Sequence, residues 1–255
     1  MIDLSGHHVL LTGAGGGIGR ALVSASLTAG ARVSAFDRTD ELTDHLDVGY
    51  RASFDLRDAN AASRRVEELC QAAGVPDILI NNAGFTRGET LPDVDKAVWD
   101  AELDMNLTGT FNVTDPVLRR MRERRSGAIV FIASVNALLH VGNPAYSAAK
   151  AGMLAYCRAI AVEDGANGIR ANAICPGSVK TNAWQHRLER DPGIMDATTR
   201  FYPLGRLVEP REVADAALFL ASPLASGITG VALPVDAGLT AGSLPFIRDI
   251  IERGM

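Results

Sequence analysis

Short apolar runs alternate with longer amphipathic stretches along most of the chain. The apolar runs fall at 8–13, 31–37, 50–56, 77–84, 127–134, 168–177 and 231–238, several of them closing on glycine. Runs of this kind, apolar on both faces, predict strands of a parallel sheet. Between them, helical spacing of apolar positions predicts helices over 17–30, 58–74, 97–124, 144–165 and 209–223. Strand and helix alternating in this way imply right-handed β-α-β crossovers. The expected fold is therefore α/β, a doubly wound parallel sheet of about seven strands with helices on both faces. No repeat and no long Pro/Gly/Ser linker interrupts it, so residues 1–255 are expected to form a single domain.

Composition narrows the class. Hydrophobic residues make up 47% and charged residues 22% of the chain, as in a globular protein with an ample core. The net charge of -5 argues against nucleic acid as a partner. No apolar run approaches the length of a membrane span. The opening MIDLSGHHVLLTG lacks a basic stretch followed by an apolar one, and a cytoplasmic location is expected. Cys70, Cys157 and Cys175 form no close pair, which fits a reducing compartment. No HExxH-type histidine pair appears, and no metal site is expected.

The stretch TGAGGGIG, Thr12 to Gly19, lies between the first strand and the first helix. Unpaired peptide N–H groups at a helix start attract anions, and glycine lets the backbone approach a pyrophosphate closely. Gly13, Gly17 and Gly19 carry the spacing, with Ile18 where a GxGxxG pattern would place its third glycine. The loop therefore predicts a Rossmann-type dinucleotide site. Asp37 ends the second strand, where an acid accepts hydrogen bonds from the adenosine ribose and repels a 2′-phosphate. Arg38 follows it and could pair with that phosphate instead. Asp55, followed by Leu56, ends the third strand and is placed to meet the adenine edge; a helix cap is its plainer reading.

Tyr146 and Lys150 stand four apart in NPAYSAAKAGM. Residues so spaced share one helix face, and an ammonium beside a phenol favours the phenolate. The Tyr146 pKa is thus expected to fall towards working pH, where acid–base catalysis is most effective. A lone YxxxK would read as a surface pair, its lysine stem lying along apolar surface. Ser134, however, ends the fifth strand twelve residues earlier. The glycine loop, NNAG (81–84) and PGSVKT (176–181) all follow strands and open on the same carboxyl edge, where ligands bind in such sheets.

In this order and spacing, TGxxxGxG, NNAG, a serine, YxxxK and PGxVxT resemble the short-chain dehydrogenase/reductase family from residue 4 to about 242. The resemblance implies Tyr146 as general acid/base, Ser134 bonded to the reacting oxygen, and Lys150 on the nicotinamide ribose. It implies that Asn106, in MNLTG, holds a water linking Lys150 to solvent. It also implies that Asn82, Val179 and Thr181 contact the cofactor. Gly16 occupies a position where NADPH-dependent relatives carry a basic residue, and with Asp37 this favours NAD, although Arg38 leaves NADP possible. The family also implies a homotetramer with long helices packed between subunits.

Residues 182–208 would cover the substrate, a small molecule. Trp184, His186, Arg187 and Tyr202, with Asn136, His140 and Asn143, are candidates for its lining; a mobile polar loop surface is the alternative. Their polarity predicts a polyol, sugar or hydroxy acid, oxidised at a secondary alcohol. The runner-up is a 3-oxoacyl-[acyl-carrier-protein] reductase; a non-catalytic nucleotide-binding scaffold is the alternative of another class. The run RRMRERR (119–125) could dock an acidic carrier or be a solvated helix end.

Overall fold

The computed structural model describes residues 2–86 and 90–254; the side chains of Ala183, Gln185 and His186 are outside the described set. Its seven strands are β1 His8–Thr12, β2 Arg32–Asp37, β3 Tyr50–Ser53, β4 Ile78–Asn81, β5 Gly127–Ile132, β6 Ile169–Pro176 and β7 Ala232–Val235. They form one sheet in the order β3-β2-β1-β4-β5-β6-β7, every pair parallel. The chain builds outward from β1 to β3, then crosses back to place β4 on the other side of β1. That reversal opens a crevice beyond the carboxyl ends of β1 and β4.

Two apolar layers cover the sheet, and the strands feed both by period-two alternation. In β1, Val9 and Leu11 join the layer under α1 (Gly17–Thr28) and α8 (Pro210–Ala221). Leu10 joins the opposite layer, formed by α2 (Ala59–Ala73), α4 (Gly109–Arg124) and α5 (Pro144–Glu163). Burial on both faces explains why these strands read as unbroken apolar runs.

The helix expected over 97–124 is broken in two. α3 (Lys96–Leu103) passes through a π-turn at Asp104–Thr108 before α4 resumes. Thr110 Oγ1 donates to Asn106 O at 2.9 Å and Thr114 Oγ1 to Thr110 O at 2.7 Å. Such hydroxyls compete with the backbone ladder and loosen it. Pro116, inside α4, withholds a further N–H. The π-turn carries Asn106, and single-turn π-bulges inside helices often occur at functional sites. Two short helices in the covering segment, α6 (Ala183–Arg190) and α7 (Ile194–Thr199), were not legible from spacing.

The arginine run ends α4 at the amino edge of the sheet, opposite the crevice. Arg119 pairs with Asp115, Arg120 with Glu67 and Glu123, and Arg124 with Asp77. Arg122 grips buried Asp164 through two bonds of 2.6 and 2.7 Å. Arg125 donates to Asn167 Oδ1 and Ala166 O. The guanidiniums of Arg120, Arg122, Arg124 and Arg125 reach partners outside α4, whereas exposed Arg119 pairs within the helix.

Candidate active site

The glycine loop is shaped by contacts that admit no side chain. A Cβ on Gly13, which sits at φ 66°, would lie 2.8 Å from Ala83 Cα. One on Gly17 would lie 2.6 Å from Thr181 Cγ2, and one on Gly19 2.0 Å from Gly13 O. No side chain caps α1, whose first turn opens onto the crevice. Asn82 ties the loop to β4: its Nδ2 donates to Thr12 O and Gly13 O, while Thr12 Oγ1 accepts from the N–H groups of Asn82 and Ala83. Asp37 Oδ2 accepts from Gly15 N and Oδ1 from Arg38 N, which aims the carboxylate at the loop. Each oxygen retains acceptor capacity for a ribose hydroxyl.

Asp55 does not cap α2; Asp58 does, accepting from Ala61 N. Asp55 instead accepts from the backbone and guanidinium of Arg57, and that hydrogen-bonded arginine holds its carboxyl below the usual carboxylate range.

Two adjoining cavities occupy the crevice, of about 440 and 340 Å³. The larger takes in Gly13, Gly17, Ile18, Gly19, Asp37, Asp55, Leu56, Asn82 and Thr181 from the sequence-derived set. The smaller takes in Ser134, Tyr146, Lys150, Val179 and Thr181. Ile18, Asn82, Gly84, Phe85 and Thr181 border both, so the cleft is continuous. Phe85 and Met105 were missed from sequence; each adjoins a motif, NNAG or Asn106, and that adjacency was the available signal.

Ser134 closes β5 and is buried. Its hydroxyl donates to Asn136 Oδ1 at 3.1 Å and accepts from Asn136 N at 3.2 Å. Asn136 Nδ2 in turn donates to Gly142 O and Ser147 Oγ. Asn136, expected to line the substrate space, is thus committed to holding Ser134. Lys150 is 3% exposed, and its ammonium donates to Ile132 O at 2.9 Å and lies 5.4 Å from the centre of the Tyr146 ring.

The expected fall of the tyrosine pKa does not hold: the pKa is raised. Burial pushes the phenol up to about 12, against the pull of its bond with Ser134, and the charges of Glu102 and Cys175 add to the rise. Burial also brings Lys150 down to about 8. The ammonium faces the ring, and the same dry surroundings disfavour both charged forms.

Asn106 is fully buried behind Gly84. Its Nδ2 donates to Phe85 O, Glu102 O and Glu102 Oε2, and its Oδ1 has no partner among the described residues. A Cβ on Gly84 would fall 2.6 Å from that oxygen and 3.5 Å from Lys150 Nζ.

The remaining candidates stand apart from the described cavity walls. Trp184 and Tyr202 pack with Leu207 into a small core of the covering segment, and Tyr202 OH accepts from Ser178 N at 2.9 Å. The Arg187 guanidinium stacks 5.1 Å over the Trp184 ring and faces solvent. His140 is exposed, and Asn143 turns the chain at φ 53° ahead of Pro144. The side chain of His186 lies outside the described residues. Among the described residues no three His, Cys, Asp or Glu side chains converge as metal ligands would.

A family model described as enoyl-(acyl carrier protein) reductase matches residues 13–240. A crystal structure of an oxidoreductase of the short-chain dehydrogenase/reductase family from Burkholderia thailandensis is 42% identical, with a TM-score of 0.90 over 96% of this chain and 97% of that one. This chain belongs to the short-chain dehydrogenase/reductase family. Among curated family members, D-threitol dehydrogenase of Mycolicibacterium smegmatis is 37% identical over 93% of this chain and 94% of its own length. A 3-oxoacyl-[acyl-carrier-protein] reductase of Thermotoga maritima is 36% identical over 92% and 98%. Members of this family are oxidoreductases that bind a nicotinamide cofactor and act on small molecules. No helix among the described residues is long and apolar enough to cross a membrane.

Proposed function

We propose that this protein is an NAD-dependent dehydrogenase that interconverts a secondary alcohol and a ketone on a small polar substrate. The observation that carries this reading is the continuous cleft, with a glycine-lined, Asp37-bearing end and a Ser134–Tyr146–Lys150 end.

The residues present fit such a cofactor. Only glycine lets the loop turn this tightly against Ala83 and Thr181, since Cβ atoms added at Gly13, Gly17 and Gly19 would collide with protein, and these glycines border the larger cavity, where a pyrophosphate would lie. Asp37 would take the adenosine ribose and repel a 2′-phosphate, and Gly16 offers no cation in compensation. Asp55 and Leu56 would border the adenine, Asn82 would hold the loop, and Val179 and Thr181 would border the carboxamide. When bound, the nicotinamide accepts or returns the hydride.

The chain's own groups handle the proton. Tyr146 takes the hydroxyl proton of the alcohol while Ser134, oriented by Asn136, bonds the same oxygen. Burial keeps Tyr146 protonated at neutral pH, ready to donate to a ketone. Positive charge entering this dry space favours the phenolate by Coulomb attraction and readies the pair for oxidation. Lys150 passes the proton on, and the unpartnered Asn106 Oδ1 is an acceptor placed to hold a relaying water.

The resemblance to a threitol dehydrogenase supports a polyol or related substrate. The Thermotoga relative supports the second reading, a 3-oxoacyl thioester. Against it, the arginines of 119–125 are paired and lie at the edge of the sheet remote from the cleft. A homotetramer is favoured by the outward face of α4 and α5, where Phe111 and Val162 are 48% and 82% exposed beside Ala151 and Ala155. The test is a screen of the purified protein with NAD or NADP against polyols, sugars, hydroxy acids, aliphatic alcohols and, in reverse, 3-oxoacyl thioesters. NADH formation on a polar alcohol is the expected result; preference for the thioester would replace this reading with the second.

A further inference from the structure

Glu102 is a carboxyl side chain in a place where apolar residues usually sit. It is 2% exposed, on α3, one helical turn before Asn106. Buried carboxylates are costly and persist where hydrogen bonds or charges hold them. Glu102 gives Asn106 two of its three acceptors: its own backbone O at 3.0 Å and Oε2 at 3.1 Å, with Phe85 O the third at 2.9 Å. Those three oxygens settle which way the amide points. A flipped Asn106 would set its Oδ1 against a carboxylate oxygen and two carbonyls. The amide oxygen is therefore fixed on the other side, buried and unpartnered, next to the point from which Lys150 Nζ is also reached across Gly84.

We propose that Glu102 is a positioning residue of the reaction. Its carboxylate locks the Asn106 amide with Oδ1 towards Lys150, and supplies the fixed negative charge against which the Tyr146–Lys150 pair exchanges its proton. The inference rests on the dehydrogenase reading given above. Among the described residues, few other titratable groups act on the pair. Cys175 on β6 lies against both Tyr146 and Lys150, with Asp236 beyond it, and Ser134 bonds the phenol. Glu102 acts on both members of the pair in the same sense, favouring the protonated phenol and the ammonium. Removing its charge while keeping its shape should therefore move the titration of the pair to lower pH.

Two variants separate the roles. Glu102→Gln keeps an oxygen that can accept from Asn106 Nδ2 but carries no charge. Glu102→Leu removes both the oxygen and the charge. With NAD and the best alcohol from the screen, the Gln variant should shift the acid limb of the kcat–pH profile down by about half a unit or more, with KM within about twofold. The Leu variant should lose about tenfold in kcat while NADH binding, read by fluorescence, stays unchanged. A Gln profile that superimposes on the wild type overturns the inference, as does a Leu variant that keeps kcat and loses only thermal stability. Should the Leu variant not fold, the Gln profile alone decides. Tyr146→Phe measured alongside keeps the two levels distinct. If it is active, the reading of the site fails; if it is dead while the Glu102 profiles are unmoved, only the role of Glu102 fails.

Discussion

At the amino edge of the sheet charged groups meet partners. Arg122 closes a two-bond contact with Asp164, Arg124 pairs with Asp77, and Arg170 caps the end of α8 through Leu220 O, Ala221 O and Ser222 O. Among the described residues, His7 Nδ1 is an exception there. At the carboxyl edge the loop residues Asp37 and Asn82 are bonded too, but three buried groups around the reacting centre are less well supplied. Lys150 is buried with one carbonyl bonded to its ammonium, Asn106 Oδ1 has no partner, and Tyr146 is held protonated by its surroundings. Groups that serve stability are satisfied in place, whereas groups that must change charge or take a ligand are kept short of partners.

Removing the buried ammonium breaks this contrast most severely. Lys150→Met should lower kcat by about a thousandfold or more while making the ligand-free protein more stable, because a buried cation with few partners is exchanged for an apolar chain. The sign follows from the lowered lysine pKa. The unfolded chain binds the proton more tightly between pH 8 and 10.5, so the wild type gains stability as pH rises through that window, by an amount on the order of 3 kcal/mol. The Met variant should lose that slope. Paired thermal melts and rates across pH check it; a variant both inactive and less stable at pH 7 contradicts the account.

A smaller effect belongs to the nucleotide end. Asp37→Ala removes the charge facing a 2′-phosphate and should narrow the preference for NAD over NADP by about tenfold in kcat/KM. Equal efficiency with the two cofactors in the wild type would remove the ground for this prediction. Smallest in function is the amino edge. Arg122→Ala leaves the 3% exposed Asp164 side chain short of its partner and should cost about 1–3 kcal/mol in stability, with kcat/KM unchanged within about twofold. Urea unfolding and a rate assay on the same sample separate the two edges; a large rate loss would show that they are coupled.

The sheet and the cleft were legible because their signals are local. Apolar runs ending in glycine marked the strands, and TGAGGGIG, NNAG, Ser134 and the Tyr146–Lys150 pair each follow or face a strand end. What stayed hidden depends on contacts distant in sequence or on backbone irregularity. Asn136 looked like a pocket residue, and only the fold shows its amide spent on Ser134, Gly142 and Ser147. Trp184 and Tyr202 looked like substrate contacts because aromatic residues often line pockets; the fold gives them a small core of their own. The π-turn that frames Asn106 has no pattern beyond Thr110, Thr114 and Pro116. The tyrosine pKa is governed first by burial, which the four-residue spacing of Tyr146 and Lys150 does not reveal.

The central claim is that the carboxyl edge performs acid–base chemistry through one phenol. Tyr146→Phe deletes a single oxygen and leaves the ring, so it should reduce NAD-dependent oxidation of the best substrate by about a thousandfold or more. NADH binding by fluorescence and the thermal melting point should remain close to wild type. In the wild type, oxidation should rise with pH through one ionisation that is absent from the residual rate of the variant. A phenylalanine variant that keeps a tenth or more of the wild-type rate, roughly within the spread of ordinary pocket substitutions, would contradict the assignment of Tyr146 as the acid/base.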